Sequence, residues 1–364
     1  MKNIKEIPHY LFGSGGLSQL TPFLTERRDS RAPGTQAVAV ILVDQYFERH
    51  PQYLAPAQLD ASDHLCHVST AEEPTTDGID RLMAELRAAG VTQPCAVVGI
   101  GGGITLDTAK AVANLFTNSG SAADYQGWDL VKNPGVFKIG VPTISGTGAE
   151  SSRTCVMTNS RTGLKLGMNS DHTLFDQLIL DPALTATVDR NQYFFTGMDT
   201  YIHGIESLAG SYRNAIGDTL SETSIALCRK VFLGGDMMSD ENREQLMVAS
   251  FLGGRAIATG FVGVVHPMSA ALSVVLGTHH CVANCITMTA MDDFYPGQCR
   301  EFREMVAAQG VTIPRGIGAA LSDDHYSRMF AAASLHEKPL ANALGPGFRE
   351  ILTRERMTGL FKRM

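Results

Sequence analysis

Apolar and polar positions fall into two textures along the chain. In the first half, short and largely apolar runs end at turn residues. They lie at 10–12, entering Gly13-Ser14-Gly15-Gly16, at 37–43, ending on Asp44, at 95–100 and at 136–141. The first reads as a short strand running into a glycine turn, and the longer runs without alternation belong to strands covered on both faces. A polar helical stretch at 78–89 separates the second and third, and strands alternating with helices predict a mostly parallel sheet. Beyond Asp181-Pro182 the strand-like runs stop. Helical patterns rich in Ala, Met and Leu follow at 197–210, 218–233, 240–259, 281–292, 299–308, 324–334 and 347–361. The expected architecture is an α/β unit over 1–182, of nucleotide-binding type, and an all-helical unit over 183–364.

The most informative stretch is Gly197-Met198-Asp199-Thr200-Tyr201-Ile202-His203-Gly204-Ile205-Glu206. Met198, Ile202, Ile205 and Leu208 recur at amphipathic-helix spacing. Asp199, His203 and Glu206 share the neighbouring stripe, and residues four apart stand one above the other. A carboxylate and an imidazole placed so suit a divalent metal. Two ligands do not hold an ion. His266, in Val265-His266-Pro267, and His279-His280 supply further imidazoles, but spacing alone selects neither. Pro267 interrupts a helical pattern and should kink it.

Two loops rich in small residues follow strands. Gly101-Gly102-Gly103 precedes a helix, where glycine lets the backbone approach a phosphate and the helix N-terminus offers free N–H groups. It is not the dinucleotide fingerprint: Gly99-x-Gly101-x-x-Ile104 lacks the last glycine, and the acidic strand end, Asp44, comes before the loop. Pro142-Thr143-Ile144-Ser145-Gly146-Thr147-Gly148-Ala149-Glu150 is the second loop. Both sit where ligands bind in open α/β sheets.

Composition excludes several classes. A net charge of −7 carries no footprint for nucleic acid, and there is no block of like charge to bind a membrane surface. No apolar run is long enough to span a bilayer, and no signal-peptide pattern opens the chain. Seven cysteines, odd in number and without a Cys-x-x-Cys pair, argue against a disulfide framework and a zinc ribbon. The expected setting is the cytoplasm.

Several motifs in order resemble the iron-containing (group III) alcohol dehydrogenase family. They are Gly101-Gly102-Gly103 with Asp107 and Lys110, then Pro142-Thr143 with Gly146-Thr147-Gly148-Ala149-Glu150. Gly197-Met198-Asp199 with His203 and Glu206 follows, and then His266 with His280 and Asn284. The resemblance implies an N-terminal nucleotide-binding domain, a C-terminal helical domain and an active site in the cleft between them. It implies Asp199, His203, His266 and His280 as metal ligands. It assigns Gly101, Gly102, Gly103, Asp107, Thr143, Ser145 and Thr147 to NAD(P), and Asp44 to its adenosine ribose, which favours NAD over NADP. Within the family, the chain resembles the branch that oxidises the C8 hydroxyl of 3-deoxy-D-manno-octulosonate (Kdo), a lipopolysaccharide sugar acid. For a carboxylate substrate Arg153 and Lys165 are the candidate cations, and Lys165 is counted with the cofactor residues. The sequence departs from the family at Ala270, where many members carry a second histidine, at His279 in place of proline and at Cys281 in place of glycine. These changes put the usual proton relay in doubt and make His279 a candidate replacement.

The expected chemistry is oxidation of a primary alcohol with Fe(II) or Zn(II) as Lewis acid and NAD(P), or oxygen beyond it, as acceptor. The partner is a small alcohol or sugar acid, and a homodimer is left open. One rival is a dehydroquinate-synthase-like lyase, which wants a phosphate-binding cation cluster where 255–290 offers only Arg255. Another is a metal- or nucleotide-binding sensor with a vestigial site.

Overall fold

A computed structural model describes residues 5–364. The chain divides into two compact units. One holds the residues up to Ile144 together with Ala149–Thr187, and the other holds Ser145–Gly148 together with Val188–Met364.

The first unit is α/β. Strands β1 (His9–Phe12), β2 (Ala39–Asp44), β3 (His64–Val68), β4 (Ala96–Gly101), β5 (Gly127–Trp128), β6 (Lys138–Pro142), β7 (Thr154–Asn159), β8 (Leu164–Asn169) and β9 (Gln177–Leu180) alternate with α1 (Leu20–Asp29), α2 (Tyr46–Arg49), α3 (Thr76–Ala88) and α4 (Gly103–Leu115). Six strands form a parallel sheet in the order β1-β9-β6-β4-β2-β3, and β5, β8 and β7 form a smaller sheet. As the apolar runs require, β2, β4, β6 and β9 are buried almost throughout. Strands β3, β7 and β8 do not show as apolar runs. Their burial alternates or is partial, and polar residues such as Lys165 and Asn159 are buried among them.

Helix α4 is held to β7 by hydrogen bonds from two of its own buried side chains, Lys110 and Asp107. Lys110, fully buried, donates to the carbonyls of Ser152 at 3.1 Å and Thr154 at 2.8 Å and stands 3.6 Å from Asp107. Asp107 accepts the Val156 N–H at 2.9 Å. Burial pushes the Asp107 carboxyl up to about 6, against the pull of Lys110. Lys110→Met removes the donor from two carbonyls and the countercharge from Asp107. It is expected to cost about 3 kcal/mol, since Asp107 can take up a proton and limit the loss. Urea unfolding would read this as a lower midpoint; an unchanged midpoint would refute the account.

The second unit is helical: α5 (Arg190–Ala209), α6 (Ala215–Leu233), α7 (Asp240–Gly260), α8 (Val265–Leu276), α9 (His280–Met288), α10 (Pro296–Gln309), α11 (Asp323–Ser334), α12 (Glu337–Leu344), α13 (Phe348–Ile351) and α14 (Arg354–Lys362). The apolar pattern at 347–361 predicts one helix. The structure breaks it after Ile351, and Thr353 caps α14 by accepting the Arg356 N–H.

Two further expectations are corrected. The stripe on α5 implies a half-exposed amphipathic helix, but its residues from Tyr193 to Ser207 are buried on nearly every side, because α6, α7 and α9 all pack against it. Packing on several sides buries even its charged members, Asp199 and Glu206, which are paired there. Pro267 kinks no helix. It is the third residue of α8, where its missing N–H costs little. The break falls earlier, at 261–264, and α7 and α8 meet at a bend of 104°. Among the described residues no single helix is long and apolar enough to cross a membrane.

Candidate metal centre and cofactor loops

Asp199 and His203 stand one turn apart on α5, His266 is in the first turn of α8, and His280 opens α9. The structure brings all four together. The Asp199 carboxylate, 1% exposed, has His266 Nε2 at 3.2 Å and His203 Nε2 at 3.4 Å from Oδ1, and His280 Nε2 at 3.9 Å from Oδ2. The His203 and His266 rings stack with centroids 4.8 Å apart. Asp199, His266 and His280 offer ligand atoms that all lie within 4.8 Å of one another, and His203 stands beside this set.

These distances bear on whether the residues suit a divalent ion. Two ligands each about 2.0–2.2 Å from a tetrahedral ion stand roughly 3.3–3.6 Å from one another. The spacings round Asp199 are close to that, and three imidazoles with one carboxylate are a donor set for Fe(II) or Zn(II). The donor set fits.

Electrostatics follow from the same packing. Burial pushes the Asp199 carboxyl up, but His203, His266 and His280 together outweigh it and hold the group well below the usual carboxylate range. Burial drives His203 down to about 4 against the pull of Asp199. Burial would also lower His266, but Glu206 and Asp199 lift it to about 9.

The surrounding contacts add residues that the spacing argument left without a role. Glu206 contacts His266 Nδ1 through Oε2 and accepts the Val265 N–H through Oε1 at 2.5 Å. Asn284, fully buried one turn after His280, donates to Asp199 Oδ1 at 2.7 Å. The Cys281 thiol lies 3.8 Å from Asp199 Oδ2. Asn284 was visible in the sequence only as part of a motif; its partner was not. His279 is exposed as the N-cap of α9, and Ala270 is buried.

In the first unit, strand register sets the cofactor candidates along one sheet edge. Val43 pairs with Ile100 and Gly101 with Pro142, so Asp44, the glycine loop and Thr143 emerge together at the strands' C-terminal ends. Gly101 ends β4, Gly102 is the N-cap of α4 and Gly103 its first residue; no side chain caps this helix. Thr143 donates its N–H to the Gly101 carbonyl at 3.0 Å. Asp44 accepts the Tyr46 N–H at 2.9 Å, and burial raises its pKa.

Ser145–Gly148 packs with the helices of the second unit. Ser250 Oγ accepts the N–H groups of Gly146 at 2.8 Å and Gly148 at 3.3 Å, and Thr200 donates to the Gly146 carbonyl at 2.7 Å. Ser145 is buried and its Oγ has no hydrogen-bond partner among the described residues, while Thr147 is half-buried.

Arg153 and Lys165 are not free cations. Arg153 pairs with Asp171 at 3.0 Å and with Asp129, and Lys165 pairs with Glu73. Spacing near the loop could not reveal these acids, which come from other segments. None of the seven cysteines forms a disulfide, and six are buried.

Comparisons with known proteins point to one family. Residues 8–182 match the family model described as iron-containing alcohol dehydrogenase, and residues 194–317 match its C-terminal counterpart. The chain is 32% identical over 215 residues to sulfoacetaldehyde reductase of Bilophila wadsworthia, a match covering 58% of this chain and 54% of that protein. The chain thus spans about half the length of the curated relatives it matches. Among solved structures, sulfoacetaldehyde reductase from Bifidobacterium kashiwanohense in complex with NAD+ superposes with a TM-score of 0.79 at 19% identity, covering 99% of this chain and 98% of that one. The alcohol dehydrogenase from Oenococcus oeni superposes with a TM-score of 0.80 at 20% identity, covering 100% and 99%. At those identities the superpositions speak for the fold. With the matches to both halves, the chain belongs to the iron-containing alcohol dehydrogenase family.

Proposed function

We propose that this protein is a metal-dependent alcohol dehydrogenase that interconverts a small primary alcohol and its aldehyde with NAD. The observation that carries the reading is the convergence of His203, His266 and His280 on the buried carboxylate of Asp199. These four are the residues we assign to hold Fe(II), the ion for which the family is described; the donor set suits Zn(II) as well. When bound, the ion supplies Lewis-acid polarisation of the alcohol oxygen and NAD supplies the hydride acceptor.

The chain's own residues do the rest. Asn284 and the imidazoles hold Asp199 ionised, so that a neutral donor set is not left facing a cation. Burial of Asp199 and His203 keeps water from their far sides, which strengthens each electrostatic contact. We assign Gly101, Gly102 and Gly103 to the cofactor's pyrophosphate, because α4 begins there without a side-chain cap. Asp44 is assigned to the adenosine ribose; Asp107, Thr143, Ser145, Thr147 and Lys165 are the remaining cofactor candidates. On this reading 1–182 carries the cofactor and 183–364 the metal, and the setting is cytoplasmic.

The narrower reading is oxidation of the C8 hydroxyl of Kdo. It rests on motif resemblance, and the cations it called on, Arg153 and Lys165, are each occupied by acids. The relatives are described as acting on smaller compounds: sulfoacetaldehyde, methanol and 1,3-propanediol. The general reading is the better supported. His279, exposed at the start of α9, stays the candidate proton relay.

The test is to strip metal, reload Fe(II), and follow reduced nicotinamide and peroxide with a panel of small alcohols, their aldehydes and Kdo. Turnover of at least one small substrate, dependent on metal and without peroxide, is the expected result. Binding of metal and NAD with no turnover of any substrate would instead mark a sensor. Metal should also protect the fold: at 100 times its Kd it is expected to add about 2.7 kcal/mol. A thermal midpoint unmoved by chelation would count against the site.

A further inference from the structure

The residues around the α7–α8 corner are arranged to orient one ligand. Phe261 leaves α7 at φ 59° and ψ 168°, a region that side chains other than glycine occupy only when their surroundings compel it. Asn342 supplies part of that hold, donating to the carbonyls of Gly260 at 2.9 Å and Val262 at 3.1 Å. Glu206 supplies the rest from α5, one turn beyond His203. Its Oε1 accepts the N–H of Val265, the first residue of α8, and its Oε2 meets His266 Nδ1. The fit is tight: a Cβ on Gly263 would lie 3.1 Å from Glu206 Oε1 and 2.7 Å from the Tyr295 hydroxyl.

Glu206 is 0% exposed. A carboxylate taken so completely out of water is costly unless its oxygens are paired. Both oxygens are used here, one by a backbone N–H and one by an imidazole. An ionised carboxylate only accepts, so the hydrogen between Oε2 and the ring belongs to Nδ1. The other nitrogen, Nε2, lies on the side where Asp199 Oδ1 stands 3.2 Å away, and it is the nitrogen left to give its lone pair to an ion bound there.

We propose that Glu206 is the positioning residue for His266: it sets the ring's tautomer and pins the first turn of α8, so that Nε2 is committed to the metal. One helix, α5, thereby carries two ligands and the outer carboxylate that aims a third. Outer partners of ligating histidines commonly change metal affinity by about 10- to 100-fold when removed. The proposal rests on the metal reading above.

Zn(II), which is diamagnetic, makes the test direct. In the wild-type protein labelled with 15N-histidine and loaded with Zn(II), His266, identified by its absence from His266→Ala, should carry its hydrogen on Nδ1. A hydrogen on Nε2 would overturn the proposal. Glu206→Gln sets an amide N–H against Nδ1–H or surrenders the Val265 contact. Chelator competition should then show Zn(II) affinity reduced about 10- to 100-fold, with Glu206→Asp recovering part of it. Unchanged affinity in Glu206→Gln with a lowered metal-free thermal midpoint would make the role structural and sink the inference alone. A wild-type protein that takes up no metal would remove the proposed function as well. Should Glu206→Gln fail to fold, the wild-type spectrum still decides.

Discussion

Asp199→Ala is expected to abolish metal retention and, with it, turnover. The Asp199 carboxylate is the point on which His203, His266 and His280 converge and to which Asn284 donates. Removing it leaves three imidazoles with no anionic ligand among them and takes from Asn284 its 2.7 Å acceptor. Lewis-acid stabilisation is worth several kcal/mol, so the rate should fall on the order of a thousandfold or more. Metal per chain after dialysis, beside rate, makes the check; Asp199→Asn separates charge from shape, since it keeps the volume and loses the anion. A variant with a full complement of metal and ordinary turnover would end the assignment.

Gly146→Ala should cost more stability than any other single methyl group considered above. Gly146 sits at φ 141°, and a Cβ there would lie 1.8 Å from the Thr196 carbonyl oxygen and 2.2 Å from its carbon, both backbone atoms. Neither can move without shifting α5. Backbone strain of roughly 2–3 kcal/mol and overpacking of roughly 2–3 kcal/mol put the loss at about 4–6 kcal/mol. For a unit of this size that is a fall in thermal midpoint of order 10 °C or more. The displaced segment of α5 lies one turn before Asp199, so metal affinity should drop with stability. Wild-type stability in this variant would show that Ser145–Gly148 is not seated on α5 as described.

Legibility tracked how far apart in sequence the interacting residues lie. Asp199 and His203 could be paired from spacing because both ride one helix, and a helical turn brings them together wherever α5 is placed. His266 and His280 could not. They enter α8 and α9, and only a family likeness named them before the packing did. Glu206 was visible on the right stripe, yet its task depends on a corner of chain, Phe261 to Val265, folding against it. The same reasoning explains the misjudged cations. Arg153 and Lys165 looked available because Asp129, Asp171 and Glu73 are remote from them in sequence or hidden in loops.

The sheet tells a similar story. Strands β2, β4 and β6 announced themselves because burial on both faces demands largely apolar side chains. Strand β7 is hydrogen-bonded to Asp107 and Lys110 of α4, and β7 and β8 are buried at only some of their positions, so neither carries such a signature. Pro267 was legible as a break but not as a beginning, since its fixed φ suits the first turn of a helix as well as it disrupts the middle of one.

By itself, then, the order of amino acids determined the two textures, the strand ends that carry the glycine loops and the carboxylate–imidazole pair on α5, because each is set by periodicity over a few turns. Tertiary structure alone decided that the middle of α5 is buried on nearly every side, that Ser145–Gly148 packs with the helices, that Glu206 faces His266, and that the loop cations are already paired. Those outcomes depend on distances between segments far apart along the chain, which only the packing of the side chains between them can set.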